Sequence, residues 1–315
     1  MDQTIDLAVE TKGLVKQFGG FTAVDNIDLS IEKGTVYGFL GPNGAGKTTT
    51  VRMLSTLLKI DEGEARIFGH DVSKEARKIR PRIALTGQHA SIDEDLTGTE
   101  NLVMISRLMG FTRKEAKQRA YELLEAFGLS EAAGKQVKNY SGGMRRRLDI
   151  AASIVITPDL LFLDEPTTGL DPRSRNQVWE VVRALTKAGT TVLLTTQYLD
   201  EADQLADRIA VINKGAVIAE GTPSELKASV GSGMLHITLK NKTDIEQAEK
   251  VLETRFDALI RRSSRESEII VNVSSSSEAL KALNNLESEG IELVTFSLSQ
   301  PSLDEVFLAL TDDEE

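Results

Sequence analysis

A glycine-rich stretch between an apolar run and a helical run constrains this fold more than any other feature of the sequence. Gly41 to Thr48 reads GPNGAGKT, follows the apolar run Thr35–Leu40 and leads into a helix predicted over Lys47–Leu58. A buried strand, a glycine-rich turn and a helix in this order form a phosphate-binding loop, whose backbone N–H groups surround phosphate oxygens. The predicted fold class is therefore α/β, with a largely parallel sheet and ligands at the carboxyl ends of its strands.

The positions of this loop have predicted roles toward a nucleoside triphosphate. Backbone N–H groups from Asn43 to Thr49 are expected to wrap the phosphates, and Lys47 is expected to reach the β- and γ-phosphate oxygens. The Thr48 hydroxyl is expected to ligate Mg²⁺. The predicted ATP-binding residues of the loop are Gly41, Pro42, Asn43, Gly44, Ala45, Gly46, Lys47, Thr48 and Thr49.

Two adjacent carboxylates end a second apolar run. Asp164 and Glu165 follow Leu160–Leu163, and Pro166 helps to end the predicted strand at this point. We expect Asp164 to hold Mg²⁺, directly or through water, and Glu165 to orient or deprotonate an attacking water. The pair predicts hydrolysis of the bound nucleotide.

A serine and two glycines open a further predicted helix. Ser141, Gly142 and Gly143 lie between the two motifs above. Small residues let backbone N–H groups approach an anion, and a helix N-terminus adds a partial positive charge. Because the first loop already holds the phosphates of one ATP, a second phosphate-binding segment predicts a second ATP, bound across a dimer interface.

Composition narrows the class of protein. The 315 residues include no cysteine, so the sequence excludes disulfides and thiolate-ligated metal. The net charge of −11 disfavours non-specific nucleic-acid binding. Acidic residues near the N-terminus do not fit a signal peptide, and no run of about 18 apolar residues is present to span a bilayer. A cytoplasmic location is expected, with any membrane role requiring a separate partner.

The chain is predicted to divide into two domains, 1–230 and 231–315. Within the first, capping boxes at Thr97-x-x-Glu100 and Thr112-x-x-Glu115 favour a helical subdomain inserted at about residues 91–156. The second follows a βαββαβ order, which is the ferredoxin-like α+β plan, and ends in a further helix.

The order of these motifs resembles the nucleotide-binding subunit of ATP-binding cassette (ABC) transporters, over roughly residues 7–230. The resemblance implies that Gln88 senses Mg²⁺ and the attacking water, and that Phe18 stacks on adenine. It implies that Asp171, in Gly169-Leu-Asp171, acts across a dimer interface as well as capping its helix. Each ATP would then lie between the phosphate loop and Glu165 of one chain and Ser141 to Gly143 of another.

One position departs from the family's usual pattern. Gln197 stands where a histidine commonly contacts the γ-phosphate. A glutamine amide can donate a hydrogen bond to phosphate but cannot carry a proton near neutral pH. We expect Gln197 to sense the γ-phosphate while Glu165 remains the catalytic carboxylate.

The flanks of the motifs resemble the daunorubicin/doxorubicin-resistance type of ABC ATPase. The resemblance rests on Thr86-Gly-Gln88, Tyr140-Ser-Gly-Gly-Met144, Thr195-Thr-Gln-Tyr198 and Leu303-Asp-Glu-Val-Phe307. It implies an exporter of drugs, antibiotics or lipids, bound through Ser91–Leu96 to a separate ABC-2-type permease at the inner face of the membrane. The alternatives are an ABC importer ATPase and a soluble ABC ATPase without a transport role. Arg145 to Arg147 are interpreted as a solvated or interface cluster, because on a helix they diverge around its surface.

Overall fold

The computed structural model describes residues 6–87, 92–230, 233–255, 260–262, 267–273, 275–299 and 302–311. The chain forms two compact units, Met1–Glu220 and Gly221–Glu315. The boundary was predicted after residue 230, which is ten residues beyond the observed boundary after Glu220. The difference is the helix Pro223–Val230, which packs against the C-terminal helix Leu303–Thr311 of the second unit.

The first unit alternates strands and helices along the chain. Its strands are β1 (Leu7–Phe18), β2 (Phe21–Glu32), β3 (Val36–Leu40), β4 (Glu62–Ile67), β5 (His70–Asp71), β6 (Ile83–Thr86), β7 (Leu160–Asp164), β8 (Thr191–Thr196), β9 (Arg208–Asn213) and β10 (Ala216–Gly221). Its α-helices are α1 (Lys47–Leu54), α2 (Ala76–Ile79), α3 (Gly98–Leu108), α4 (Arg113–Ala126), α5 (Gly142–Ser153), α6 (Pro172–Lys187) and α7 (Leu199–Leu205). The helix after the phosphate loop thus ends four residues before its predicted end, and Thr56 beyond it has a positive φ of 64°.

Two sheets build the first unit. The larger has the order β10-β9-β3-β8-β7-β6, and β3 runs parallel to both β8 and β9. Strand β7 runs parallel to β6 and β8, so the carboxyl ends of β6, β7, β3 and β8 meet at one edge. The smaller sheet, β2-β1-β4-β5, is antiparallel.

Strand β7 shows why this sheet lies in the centre of the unit. All five of its residues are buried. Leu161 and Leu163 belong to a core that includes residues of α4, α5 and α6, whereas Leu160 and Phe162 belong to a core with β1, β2 and α1. Because successive side chains of a strand point to opposite faces, one apolar run supplies both layers.

Helices α3, α4 and α5 occupy the stretch between β6 and β7, where the inserted helical subdomain was predicted. Both predicted capping boxes are formed: Thr97 caps α3 with Glu100, and Thr112 caps α4 with Glu115.

The second unit is a layer of helices on an antiparallel sheet. Its elements are α8 (Pro223–Val230), β11 (Met234–Leu239), α9 (Ile245–Arg255), β12 (Ile260–Arg262), β13 (Glu268–Asn272), α10 (Ser276–Ser288), β14 (Leu293–Ser299) and α11 (Leu303–Thr311). The sheet order is β12-β13-β11-β14, and its core joins the sheet to α9 and α10. This is the βαββαβ arrangement, with both the first and third strands central, so the predicted fold class is confirmed.

Candidate functional site

The phosphate loop turns between β3 and α1 through positions that only glycine fits. Gly46 has φ +104° and caps α1, and a Cβ there would lie 2.4 Å from the Ala23 carbonyl oxygen. A Cβ on Gly41 would lie 2.3 Å from the Ile212 carbonyl oxygen. Close packing of backbone on backbone therefore requires these glycines, in addition to any contact with phosphate.

Lys47 is the buried cation of this loop. Its side chain is 4% exposed, and its Nζ donates to the carbonyl oxygens of Gly41 at 2.6 Å and Pro42 at 3.0 Å. Its Nζ also lies 3.7 Å from Glu165 Oε1. Burial lowers the pKa of Lys47, and the carboxylates of Glu165 and Asp164 oppose that change. The arrangement concentrates one ammonium and two carboxylates at the end of the loop.

Thr48 and Asp164 meet where a cation ligand set was predicted. Thr48 Oγ1 donates to Asp164 Oδ2 at 2.9 Å, and Thr195 Oγ1 donates to Asp164 Oδ1 at 2.5 Å. Hydroxyl and carboxylate oxygens are the ligands that Mg²⁺ prefers, together with phosphate oxygens and water. Within the described ranges no three His, Cys, Asp or Glu side chains gather as a metal site. The oxygens present thus fit a Mg²⁺ that shares its coordination with a bound triphosphate.

Glu165 has an unusual backbone conformation for a glutamate. Its φ is +48°, in the left-handed region that non-glycine residues rarely adopt. Its backbone N–H donates to the Thr195 carbonyl oxygen at 3.1 Å and to Thr195 Oγ1 at 3.1 Å. Such conformations persist where surrounding contacts hold them, and they are concentrated at functional sites.

A cavity of about 440 Å³ opens over the loop. Phe18 lines it, as the resemblance implied, and so does Phe21, which the sequence analysis missed. The two residues are paired across the β1–β2 hairpin and are 49% and 63% exposed. The signal was present in Phe18-Gly-Gly-Phe21, since two glycines between strand-like runs are typical of a two-residue hairpin turn. The lining residues are Phe18, Phe21, Ala23, Asn43, Gly44, Gly46, Lys47, Thr48, Thr49 and Glu165.

Of the two glutamines predicted to act at the γ-phosphate and Mg²⁺, the structure describes Gln197 but not Gln88. Gln197 is half-buried and directly follows β8, whose last residue Thr196 pairs with Leu40, so it lies level with Gly41 at the strand ends. Gln88 lies outside the described residues. Gly87, just before it, follows the end of β6 at the same edge.

Ser141 to Gly143 form the N-terminus of α5, as predicted. Ser141 is the N-cap, and its Oγ accepts from the Met144 backbone N–H at 3.2 Å. Gly142 lines a second cavity, of about 350 Å³, which Glu165 also lines. No residue of 140–144 is among the described residues that line the first cavity. The two segments predicted to bind phosphate therefore line different cavities of one chain, and Glu165 borders both.

Asp171 is the N-cap of α6. Its carboxylate accepts from the backbone N–H of Ser174 at 3.0 Å and from Ser174 Oγ at 2.6 Å. These bonds lower the pKa of Asp171. Its capping role is present within one chain.

Arg145 to Arg147 were interpreted as a solvated or interface cluster, and the solvated alternative is wrong for two of the three. Arg146 has a side chain only 12% exposed, and Arg147 is buried. Arg147 donates to the Phe127 carbonyl oxygen at 2.6 Å, whereas Arg145 pairs with Glu94 at 3.1 Å in a more exposed position. Their charge and helical spacing predicted that these arginines point to solvent. Arg146 and Arg147 instead donate to backbone carbonyl oxygens at the ends of other elements.

A glycine-rich loop between β3 and α1, with adjacent carboxylates at the carboxyl end of the parallel strand β7 of the same sheet, defines a P-loop nucleotide-binding domain. The sequence matches the ABC transporter family over residues 24–168 and the DrrA1-3-like ATP-binding protein C-terminal domain over residues 221–311.

Relatives match nearly the whole chain. It is 60% identical to the daunorubicin/doxorubicin resistance ATP-binding protein DrrA of Streptomyces peucetius, over 96% of this chain and 92% of that protein. It is 35% identical to the linearmycin resistance ATP-binding protein LnrL of Bacillus subtilis, over 96% of this chain and 98% of that protein. A solved ATP-binding cassette, dimeric and bound to ADP and Pi in a post-hydrolysis state, is 26% identical with a TM-score of 0.62, covering 68% of this chain and 98% of its own.

The chain belongs to the ABC transporter ATP-binding proteins, in the group of the daunorubicin/doxorubicin resistance ATPases. The predictions of an ABC fold, of an ATPase and of a subunit of the drug-resistance and export type are confirmed. In the described part of the chain, no helix combines the length and apolar character needed to cross a bilayer.

Proposed function

We propose that two copies of this chain close around two Mg-ATP and drive a separate membrane permease that exports a drug, antibiotic or lipid. The observation that supports this most is the division of the phosphate-binding segments between two cavities that share Glu165. A helix N-terminus that lines a cavity other than that of its own chain's phosphate loop suits the ATP held by a second copy. The solved cassette that is dimeric with ADP and Pi supports the association of two copies.

Each residue of the composite site has a proposed task. Loop N–H groups and Lys47 bind the β- and γ-phosphates, and the aromatic rings of Phe18 and Phe21 stack on adenine. Thr48, Asp164 and Gln88 hold Mg²⁺, which when bound neutralises phosphate charge. In the other chain, Ser141 to Gly143 bind the γ-phosphate, and Asp171 acts at the interface.

Glu165 orients and deprotonates the water that attacks the γ-phosphate, while Gln197 donates a hydrogen bond to that phosphate. Because the γ-phosphate bridges the two copies only while it is intact, hydrolysis lets the dimer open. The alternation between closed and open dimers supplies the mechanical stroke for the permease.

The proposed contact with an ABC-2-type permease is Ser91–Leu96, at the inner face of the cell membrane. Ser91 lies outside the described residues, and the rest of the segment is attached to α5 and the turn before it. Glu94 pairs with Arg145 at 3.1 Å, and Asp95 pairs with Lys138 at 3.1 Å. These contacts connect the docking segment to α5, which we call the signature helix because the signature motif Ser141-Gly142-Gly143 opens it. The resistance and export proteins among the relatives favour export over import or a soluble role.

The test compares the sedimentation of Glu165→Gln with and without Mg-ATP. The variant keeps the size of the side chain but cannot deprotonate water, so it should bind ATP, fail to turn over and sediment as a dimer only with Mg-ATP. Glu180→Gln, which changes an exposed carboxylate of α6, is the matched control and should turn over normally. Persistent Glu165→Gln monomers at saturating Mg-ATP would contradict the proposal.

A further inference from the structure

Arg146 is a largely buried guanidinium, with a side chain 12% exposed, that bonds to three backbone carbonyl oxygens from two separate segments. Its Nε donates to the Pro166 carbonyl oxygen at 2.9 Å and its Nη2 to the Asp164 carbonyl oxygen at 3.2 Å. Its Nη1 donates to the Gly87 carbonyl oxygen at 2.7 Å and lies 3.3 Å from Asp149 Oδ2. The side chain starts on α5, the helix that Ser141 opens.

Two of these carbonyls lie on either side of Glu165, whose backbone is left-handed at φ +48°. A non-glycine residue in this region costs of order 1 kcal/mol or more, and the conformation persists only where surrounding contacts hold it in place. Thr195 holds the Glu165 N–H from β8. Arg146 holds the flanking carbonyls from α5. The segment that carries the candidate catalytic carboxylate is thus held by contacts from two different elements, β8 and α5.

The third carbonyl oxygen, that of Gly87, connects Arg146 to the end of β6 as well. Gly87 directly precedes Gln88, the predicted Mg²⁺ and water sensor. One side chain therefore connects the start of the signature helix, the end of β7 and the end of β6. Because Arg146 bonds to backbone carbonyl oxygens, it fixes the start of the segments that follow β6 and β7, whatever side chains those segments carry.

The chemistry of these contacts selects arginine. A guanidinium carries five N–H donors in a rigid planar fork, and its charge does not titrate near neutral pH. Lysine places its three donors on one nitrogen, and glutamine has only two amide donors, so neither can reproduce donors on three separate nitrogens. The Asp149 carboxylate on the same helix offsets the buried positive charge.

We propose that Arg146 is a positioning residue that holds Glu165 in its left-handed conformation and couples that conformation to the signature helix. This inference rests on the catalytic role proposed for Glu165. The inference predicts two results for variants without Arg146. Their kcat falls, because Glu165 no longer orients the attacking water correctly. Their ATP affinity stays unchanged, because the phosphate loop keeps its contacts.

The test compares Arg146→Ala, Arg146→Lys and Arg146→Gln with Arg113→Gln, a control at an exposed arginine of α4. ATPase rates are measured on the full chain, and ATP affinity is measured separately by equilibrium titration. We expect kcat to fall about 10- to 100-fold in all three Arg146 variants, the loss that a displacement of about 1 Å causes. ATP affinity should stay within about twofold, and Arg113→Gln should keep its rate. Unchanged kcat in Arg146→Gln would overturn the inference.

A double-mutant cycle separates positioning from a general loss of structure. If Arg146 acts through Glu165, then Arg146→Ala should lower the residual rate of Glu165→Gln no further. Millimolar guanidinium should restore part of kcat in Arg146→Ala but not in Glu165→Gln. Additive losses without rescue would show a merely structural role and overturn the inference. If Glu165→Gln itself hydrolyses ATP at the normal rate, the proposed function fails instead, so the two failures are distinguishable.

Discussion

Gly143 of α5 and Ser174 of α6 lie so close that a Cβ atom on Gly143 would be 2.2 Å from Ser174 Oγ and 2.5 Å from Ser174 Cβ. Ser174 cannot easily move, because its Oγ and its backbone N–H both bond to the Asp171 carboxylate. The glycine of the signature motif thus has a packing role within its own chain, in addition to its proposed contact with phosphate.

Gly143→Ala is therefore expected to lower stability by about 1–3 kcal/mol, because the added methyl group overpacks a closed contact. Adding Ser174→Gly removes the Oγ and Cβ that the methyl group meets, and should recover much of this loss in urea unfolding. ATPase activity should stay low in the double variant, because the methyl group also occupies the proposed approach to the partner's phosphate. Full recovery of both stability and activity would assign Gly143 to packing alone.

Phe18 and Phe21 provide a test of which part of the nucleotide the hairpin recognises. Stacking of a base on an aromatic ring is worth about 1–3 kcal/mol, or roughly 5- to 150-fold in affinity. Phe18→Ala and Phe21→Ala should each weaken ATP binding by this order, whereas Leu57→Ala, at another exposed apolar position, should not.

Inorganic triphosphate is the matched ligand for this comparison, because it lacks the base. Both phenylalanine variants should bind triphosphate as tightly as the unaltered chain does in equilibrium titration. Equal weakening toward ATP and triphosphate would contradict stacking and indicate a disturbed loop.

Sequence reasoning worked where the determining residues are close together in the chain. The phosphate loop, the capping boxes of α3 and α4 and the carboxylates that end β7 all follow from spacings of a few residues. Arg146 was misinterpreted because its partners Pro166 and Gly87 lie 20 and 59 residues away. Helical periodicity gives the direction of a side chain, but it does not indicate which carbonyl oxygens another element brings to that side.

The close approach of Gly143 to Ser174 has the same origin, since it depends on how α5 packs against α6. The left-handed backbone of Glu165 is a further case, since glutamate gives no local signal for a positive φ. In both, tertiary contacts decide what the local sequence leaves open.

Replacing Gln197 by histidine should make ATP turnover depend on pH. Gln197→Ala should reduce ATP turnover, because it removes the donor to the γ-phosphate, while Gln197→His should retain much of it. Glutamine does not titrate, but a histidine does so near pH 6.5. Turnover of Gln197→His should therefore change with pH around that value, beyond any change in the unaltered chain. A rate profile from pH 5.5 to 8 checks this, and matching profiles would contradict a direct contact with phosphate.

Glu201 of α7 is a buried carboxylate. Its exposed fraction is 0%, and Trp179 Nε1 donates to its Oε1 at 3.2 Å. Burial raises the pKa of Glu201, and hydrogen bonds from its neighbours oppose this change without cancelling it. The folded chain therefore retains a proton on Glu201 at pH values where the unfolded chain has already released it.

The difference in the pKa of Glu201 between the folded and the unfolded chain determines whether stability rises or falls with pH. Between the ordinary carboxyl pKa of 4.5 and the raised folded value, the folded state binds more protons, so the contribution of Glu201 to stability falls as pH rises. Glu201→Gln keeps an oxygen acceptor for Trp179 but does not titrate. Its free energy of unfolding, from urea titrations at pH 4.5 to 8, should gain relative to the unaltered chain as pH increases. Glu180→Gln, at an exposed position of α6, should show no such gain. A constant difference between Glu201→Gln and the unaltered chain at every pH would mean that Glu201 titrates alike in the folded and unfolded states.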